Sequence, residues 1–415
     1  MTPTIQVFTS HTLGDDVLVG TCHFSLRRGS ISSSFIYDQG YLASSDAYAI
    51  DPSLPFRDAS GFCAGLPGAL RDSSPDRWGR HLIDRRAVAE SSGSGLALRS
   101  RDEADYLLGV YDASRQGALR FRVPGSDNYL SPNETVPPLV ELKRLVAASN
   151  QVSLGSADND QVKELLDAGS GSLGGARPKA SVTDEGRILL AKFSHPRDEW
   201  DVMAWEKTSL DIAKAAGLAV PRARLLRIGS DSILLLERFD REGSLIDGQR
   251  IPYLSAMSLV RARDDSQSDY ADVADALVDW CIDPLPQLEA LFERVVLSVA
   301  LHNTDDHLRN LGLVRRGGCW VLSPVFDVNI NPDPSRGRTT SVFGETGKTE
   351  VNGLKELAES CGLAAEKSSL AVARVLRGVR TWRALARRNG CKEAESELMG
   401  RVVDERAHAL STAFC

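Results

Sequence analysis

Apolar and polar residues alternate in three early stretches, TIQVFTS (4–10), DDVLVGTCHFSL (15–26) and SSSFIYD (32–38). A period of two sends successive side chains to opposite faces, so each stretch predicts a strand with one buried side. Around residues 66–90 the period changes. Ser74 or Asp76 is placed to cap a helix whose apolar face carries Trp78, Leu82 and Ile83. The stretch 123–138, VPGSDNYLSPNETVPP, is rich in Pro, Asn and Ser and reads as a connector. A helix over 139–152 follows. After it come a Gly-rich turn, a strand, a turn at Asp184-Glu185-Gly186 and a second strand, RILLAKF. A helix closed by Gly217 and a strand pair over 222–240 complete this part. Beyond Phe239 the apolar spacing becomes helical: Leu288, Leu291, Phe292, Val295, Val296 and Val299 form one stripe, and the chain after Leu354 is mostly charged amphipathic helix. Strands first and helices later, with a short junction near 237–240, predict an α+β fold of two lobes.

Composition narrows the class. Hydrophobic residues make up 42% of the 415 and charged residues 25%, as in globular chains with a sizeable core. A net charge of -7 argues against a protein that coats nucleic acid. The seven cysteines (22, 63, 281, 319, 361, 391 and 415) are scattered and form no CxxC pair, the usage of a reducing compartment. The first residues lack a basic stretch followed by an apolar one, and no apolar run approaches the roughly 18 residues that span a bilayer. These features predict a cytoplasmic location and no membrane partner.

The chemistry concentrates in ALHNTDDHLRNLGLV, Ala300 to Val314, where an apolar helix gives way to a polar loop and then to a short strand. Phosphoryl transfer from ATP needs a Gly-rich loop over the phosphates, a Lys to grip them, oxygen ligands for magnesium and a carboxylate for the acceptor hydroxyl. The segment GSGSLGGARPK, Gly169 to Lys179, supplies backbone N–H groups unobstructed by Cβ atoms. Lys192 ends a strand and is placed to reach inward; Lys179 is a second candidate. Glu206, on the following helix, suits an ion pair with Lys192. The spacing of Asp305 and Asn310 fits one carboxylate aimed at a hydroxyl and one amide oxygen aimed at a metal. Asp327, after Val325 and Phe326, adds a second hard oxygen ligand. Two readings compete: Asp305, Asp306 and His307 as plain turn and cap residues, or His302, Asp305, Asp306, His307 and Asp327 as ligands of a hydrolytic transition metal.

Several motifs, in this order, resemble the HipA family of bacterial serine/threonine kinases, the toxins of toxin–antitoxin pairs: SLPFRDASGFCAGLPGALRDSSPDRWGR, SLGGARPKA, MAWEKTSLDIAKAAGLAVP, LLLERFDRE, HNTDDHLRNLGL and LSPVFDVN. The resemblance implies a kinase-like fold, with a family N-terminal subdomain over 1–125, the N-lobe over 126–238 and a helical C-lobe over 239–415. It implies ATP and magnesium as cofactors. Asp305 would be the catalytic base, and Asn310 and Asp327 would hold the metal. Lys192 would contact the α/β phosphates, and the loop Gly174, Gly175, Ala176, Arg177, Pro178 and Lys179 would cover the nucleotide. Glu237, Arg238 and Phe239 would form the hinge beside adenine, and His307 would line the nucleotide site. Ser172 matches a serine that family members autophosphorylate. Phosphate there would add nearly two negative charges to a loop that holds ATP, ejecting it and switching the enzyme off. The implied partners are a small HipB-like DNA-binding antitoxin, through which DNA is contacted only indirectly, and an aminoacyl-tRNA synthetase as substrate, the glutamyl enzyme first. The rival functions are a small-molecule phosphotransferase, whose expected His-Gly-Asp-x-His loop is replaced here by Asn-Thr-Asp-Asp-His, and an inactive partner-binding module.

Overall fold

The computed structural model describes residues 4–10, 16–94, 100–131, 136–170, 177–244, 248–263 and 266–414. Backbone contacts divide the chain into two units, one of residues 1–197 with 228–254 and the other of 198–227 with 255–415. The junction read from the sequence at 238/239 is displaced: the chain leaves the first unit after Leu254. The helix Val202–Ala215, read as part of the strand-rich lobe, packs with the second unit instead.

The first unit begins with a five-stranded sheet. Its antiparallel core is Thr4–Ser10, Asp16–Arg27 and Ser30–Tyr37, flanked at the edges by Gly61–Ala64 and Leu119–Arg122. Alternation works as expected: Val19, Cys22 and Phe24 are buried, as are Phe35 and Tyr37 on the neighbouring strand. The helix Arg77–Ser94 buries the expected Trp78, Leu82 and Ile83, and its first turn is capped by Asp76, which accepts from the Gly79 amide at 3.3 Å. A second antiparallel ladder joins Lys179–Asp184, Arg187–Phe193 and Asp231–Glu237, with Lys179 directly opposite Lys192. The helices Leu142–Leu154 and Asn159–Asp167 belong to the same unit; a reciprocal cap between Asp158 and Gln161 starts the second.

Between these two sheets, four arginines surround the turn after Val110. Arg115, fully buried, donates to the carbonyls of Ser73, Leu107 and Val110. Arg238, Arg241 and Arg250 donate to the carbonyls of Asp112, Ser114, Arg115 and Gly117. Asp112 and Asp240 supply the countercharge. Burial alone would raise the Asp240 carboxyl, but Arg238 and Arg241 hold it well below the usual carboxylate range.

The second unit is helical. Its centre is Pro284–Ala300, whose stripe from Leu288 to Val299 is buried as its period predicts, surrounded by Tyr270–Trp280, Glu350–Ser360, Ala365–Val379 and Glu393–Phe414. The fully buried Trp205 donates its indole N–H to Glu395 at 3.0 Å, tying Val202–Ala215 to the last helix. Gly217, at φ 89°, ends that helix in the left-handed region that favours glycine. A hairpin, Gly312–Arg316 with Cys319–Leu322, lies just after the polar loop. No helix among the described residues is long and apolar enough to cross a membrane. The strand-rich first unit and the helical second unit give the two-part α+β fold that the sequence predicts.

Candidate active site

The polar loop is built from the end of its helix outward. Pro284–Ala300 stops because His302 turns into the left-handed region (φ 49°), and the His302 ring nitrogen Nδ1 bonds the Asn331 carbonyl at 2.8 Å. Burial lowers the His302 pKa, favouring a neutral ring that acts as a fastener. The run 329–340 then lies along the loop. Asn303 Oδ1 accepts from the Asn329 amide at 3.3 Å, Thr304 Oγ1 accepts from Asn331 Nδ2 at 2.7 Å, and the Thr339 amide donates to the Thr304 carbonyl at 2.9 Å.

Two adjacent aspartates are treated oppositely. Asp306 is buried; it accepts from Ser298 Oγ at 2.5 Å and from the Tyr270 hydroxyl, and its carbonyl accepts from Thr340 Oγ1 at 2.6 Å. Arg338 crosses the same network, donating to Ser298 Oγ at 3.0 Å, to the Tyr270 hydroxyl at 3.3 Å and to the Asn303 carbonyl at 3.2 Å, and pairing with Glu350 at 3.3 Å. Asp305 is the one exposed residue from Leu301 to Asp306, and its carboxylate has no hydrogen-bond partner among the described residues. The buried network therefore holds the loop by Asp306 and leaves Asp305 facing outward.

Asn310 and Asp327 both lie near Asp305. Asn310 Nδ2 donates to the Asp305 carbonyl at 3.2 Å, which fixes the orientation of its amide. Asp327 sits in the left-handed region (φ 56°) and is close enough to Asp305 to act on its ionisation. Partial burial raises the Asp305 pKa; His307 and Arg336 oppose the rise, and the Asp327 and Asp306 carboxylates add to it. Asn329 Oδ1, two residues after Asp327, is buried and accepts no hydrogen bond. Two neighbouring carboxylates, an amide held by its nitrogen and an orphaned amide oxygen are hard oxygen donors of the kind that magnesium takes. Among the described residues no three His, Cys, Asp or Glu side chains gather in a group that could hold a metal ion. His307 lies beside Asp305, with its Nδ1 buried and unpaired.

The remaining candidates lie in the first unit, apart from Glu206, which is buried on Val202–Ala215 in the second. Lys192 is buried on its strand, directly opposite Lys179 on the same sheet face. The Lys179 ammonium, 1% exposed, bonds Asp76 Oδ2 at 3.2 Å. Of the hinge, Glu237 lies 3.5 Å from Arg187 at the surface, and the Phe239 ring packs 6.0 Å from that of Tyr253. The Arg238 guanidinium is spent on Asp240 and on the Ser114 and Arg115 carbonyls. Arg177 is partly exposed and Pro178 buried; Ser172, Gly174, Gly175 and Ala176 lie outside the described residues. Asp76 was read only as a helix cap, and Tyr270, Arg338 and Glu350 were missed by the sequence reading. Each is polar on an otherwise ordinary helix or loop, and no local pattern marks the partner that it meets.

This is the fold of a HipA toxin along its whole length. A Shewanella oneidensis HipA, solved with HipB and operator DNA, matches at a TM-score of 0.68 and 15% identity, covering 98% of this chain and 97% of that one. The HipA-like C-terminal domain matches residues 171–383 and the HipA N-terminal domain residues 13–107, and the chain belongs to the HipA family. A Helicobacter pylori proinflammatory kinase, CtkA, matches at a TM-score of 0.43 and 15% identity over 58% of this chain and 93% of that one. No curated protein sequence matches.

Proposed function

We propose that this protein is an ATP- and magnesium-dependent protein serine/threonine kinase acting as a HipA-type toxin. The observation that carries the reading is that Asn310 and Asp327 lie near Asp305, which a buried scaffold holds outward. Asp305 accepts the proton of the acceptor hydroxyl, and Asn310 and Asp327 hold the metal. Bound magnesium would neutralise phosphate charge. Lys192 grips the α/β phosphates, and Lys179, paired with Asp76, shapes the exit of the Gly-rich loop. Because the Arg238 side chain is committed elsewhere, the hinge Glu237-Arg238-Phe239 meets adenine through its backbone.

The partner we propose is a small HipB-like antitoxin, by analogy with the Shewanella complex. The substrate we propose is an aminoacyl-tRNA synthetase, the glutamyl enzyme first, whose phosphorylation would halt charging and arrest growth. Autophosphorylation at Ser172 would switch the kinase off. Incubating the protein with labelled ATP, magnesium and a cytosolic lysate tests this. Label on Ser172 or on one large protein, lost in D305N, is the expected result. Label on small metabolites alone refutes the protein-kinase reading, and no turnover under any condition refutes catalysis.

A further inference from the structure

An open, polar groove of about 690 Å³ runs beside Asp305 in the second unit, walled by Thr304 and Asp305 on one side and by the run 331–339 on the other. No apolar side chain lines it, so its shape and chemistry suit an extended polar chain better than a base or a lipid. Most of its wall is committed to holding itself together. Thr304 Oγ1 accepts from Asn331, and Asn331 Oδ1 accepts from the Asp333 amide at 3.0 Å. Asp333 Oδ1 takes both the amide and the hydroxyl of Ser335. Thr339 Oγ1 donates to the Thr304 carbonyl at 3.1 Å, and Arg338 belongs to the buried Glu350 network. Gly337 offers open space where a Cβ would stand.

Two side chains remain uncommitted. One is Asp305. The other is Arg336, exposed on the rim, whose guanidinium has no ion-pair or hydrogen-bond partner among the described residues. It lines the same groove as Asp305, so both face one occupant. A clamp on the transferring phosphoryl group gains its strength from water exclusion. Arg336 lies in solvent, which instead suits recognition of the acceptor's flanks.

We propose that this groove seats the acceptor segment and that Arg336 selects serines or threonines with a carboxylate side chain close by. The proposal rests on Asp305 marking the acceptor side of the kinase site, and it adds the chemistry that the acceptor presents there. Binding is measured without catalysis, by fluorescence anisotropy of two labelled synthetic peptides that differ only in Glu or Gln beside a central Ser. Wild type should bind the Glu peptide about two- to five-fold more tightly, the scale of an exposed ion pair, with the preference fading at high salt. R336Q should lose the preference, and R336E should reverse it toward a Lys-flanked third peptide. Equal binding of the Glu and Gln peptides by wild type, or an unchanged preference in R336E, overturns the proposal. Turnover is followed separately. If the preference and its reversal hold while no acceptor is phosphorylated, the groove reading stands and the kinase reading falls. If R336Q slows transfer to all peptides equally without altering their affinity, Arg336 acts on the phosphoryl group and the selectivity proposal is overturned.

Discussion

Replacing either of two neighbouring aspartates by asparagine should give opposite phenotypes. Asp306 accepts hydrogen bonds from Ser298 and Tyr270 inside a network that also holds the Arg338–Glu350 pair, with both charged side chains almost fully buried. Asn at 306 keeps the shape but removes the negative charge and adds donors facing hydroxyls that must themselves donate. Breaking such a buried charged network costs about 3–5 kcal/mol. For a unit of this size each kcal/mol lowers Tm by about 2–4 °C, so D306N should melt roughly 6–20 °C lower. Asp305 is exposed and makes no hydrogen bond through its carboxylate. Its folded pKa is raised, so the folded state holds that proton more tightly than the unfolded chain does. Its ionisation therefore costs stability once pH rises above the ordinary carboxylate value. D305N should melt at or slightly above the wild-type temperature near neutral pH while losing about 10²–10⁴ in phosphotransfer rate. Thermal unfolding by circular dichroism, beside single-turnover kinetics, separates the two. A D306N protein that melts like wild type but transfers no phosphate would reverse the assignment of scaffold and base.

D327N should remove a like charge facing Asp305 and bring its pKa down, read by NMR titration of the carboxylate in the nucleotide-free protein; no downward shift would mean that the two side chains are not neighbours. The same variant should weaken nucleotide binding in magnesium but leave it unchanged in EDTA, as calorimetry would show. D76N strips a carboxylate from the buried Lys179 and should cost about 3–5 kcal/mol by denaturant unfolding, with much of the loss recovered in D76L/K179M, where neither charge remains. G353A would place a Cβ 1.9 Å from the Val342 carbonyl oxygen and should lower stability by about 1–3 kcal/mol, and an unchanged Tm would contradict the packing there.

Much of the architecture was legible because periodicity reports burial directly. The stripe on Pro284–Ala300 and the alternation of Asp16–Arg27 needed no tertiary information. Asp305, Asn310 and Asp327 could be picked out as oxygen-bearing residues flanked by apolar runs. Which of Asp305 and Asp306 faces outward could not be read. That is decided by Tyr270, Ser298 and Arg338, which come from three separate segments of chain. The same limit applies to Lys179: it was a second phosphate-gripping candidate after Lys192, while its partner Asp76 lies 103 residues away. The family resemblance implied a hinge role for Arg238, whose guanidinium is spent on a turn more than a hundred residues earlier. The unit boundary moved for a related reason, since Val202–Ala215 packs through Trp205 onto a helix near the end of the chain.

The arginine-rimmed turn after Val110 falls between the two stretches that match the family separately, residues 13–107 and 171–383. Its carbonyls are closed off by guanidiniums from residues 238–250, so a fragment ending before Arg238 would leave those oxygens without donors. A fragment starting at 171 would keep the arginines and Asp240 but lose Asp112 and the carbonyls that receive their N–H groups. Dissecting this protein at its apparent sequence boundaries should therefore yield insoluble pieces, and any shorter fragment should keep the turn after Val110 together with residues 238–250.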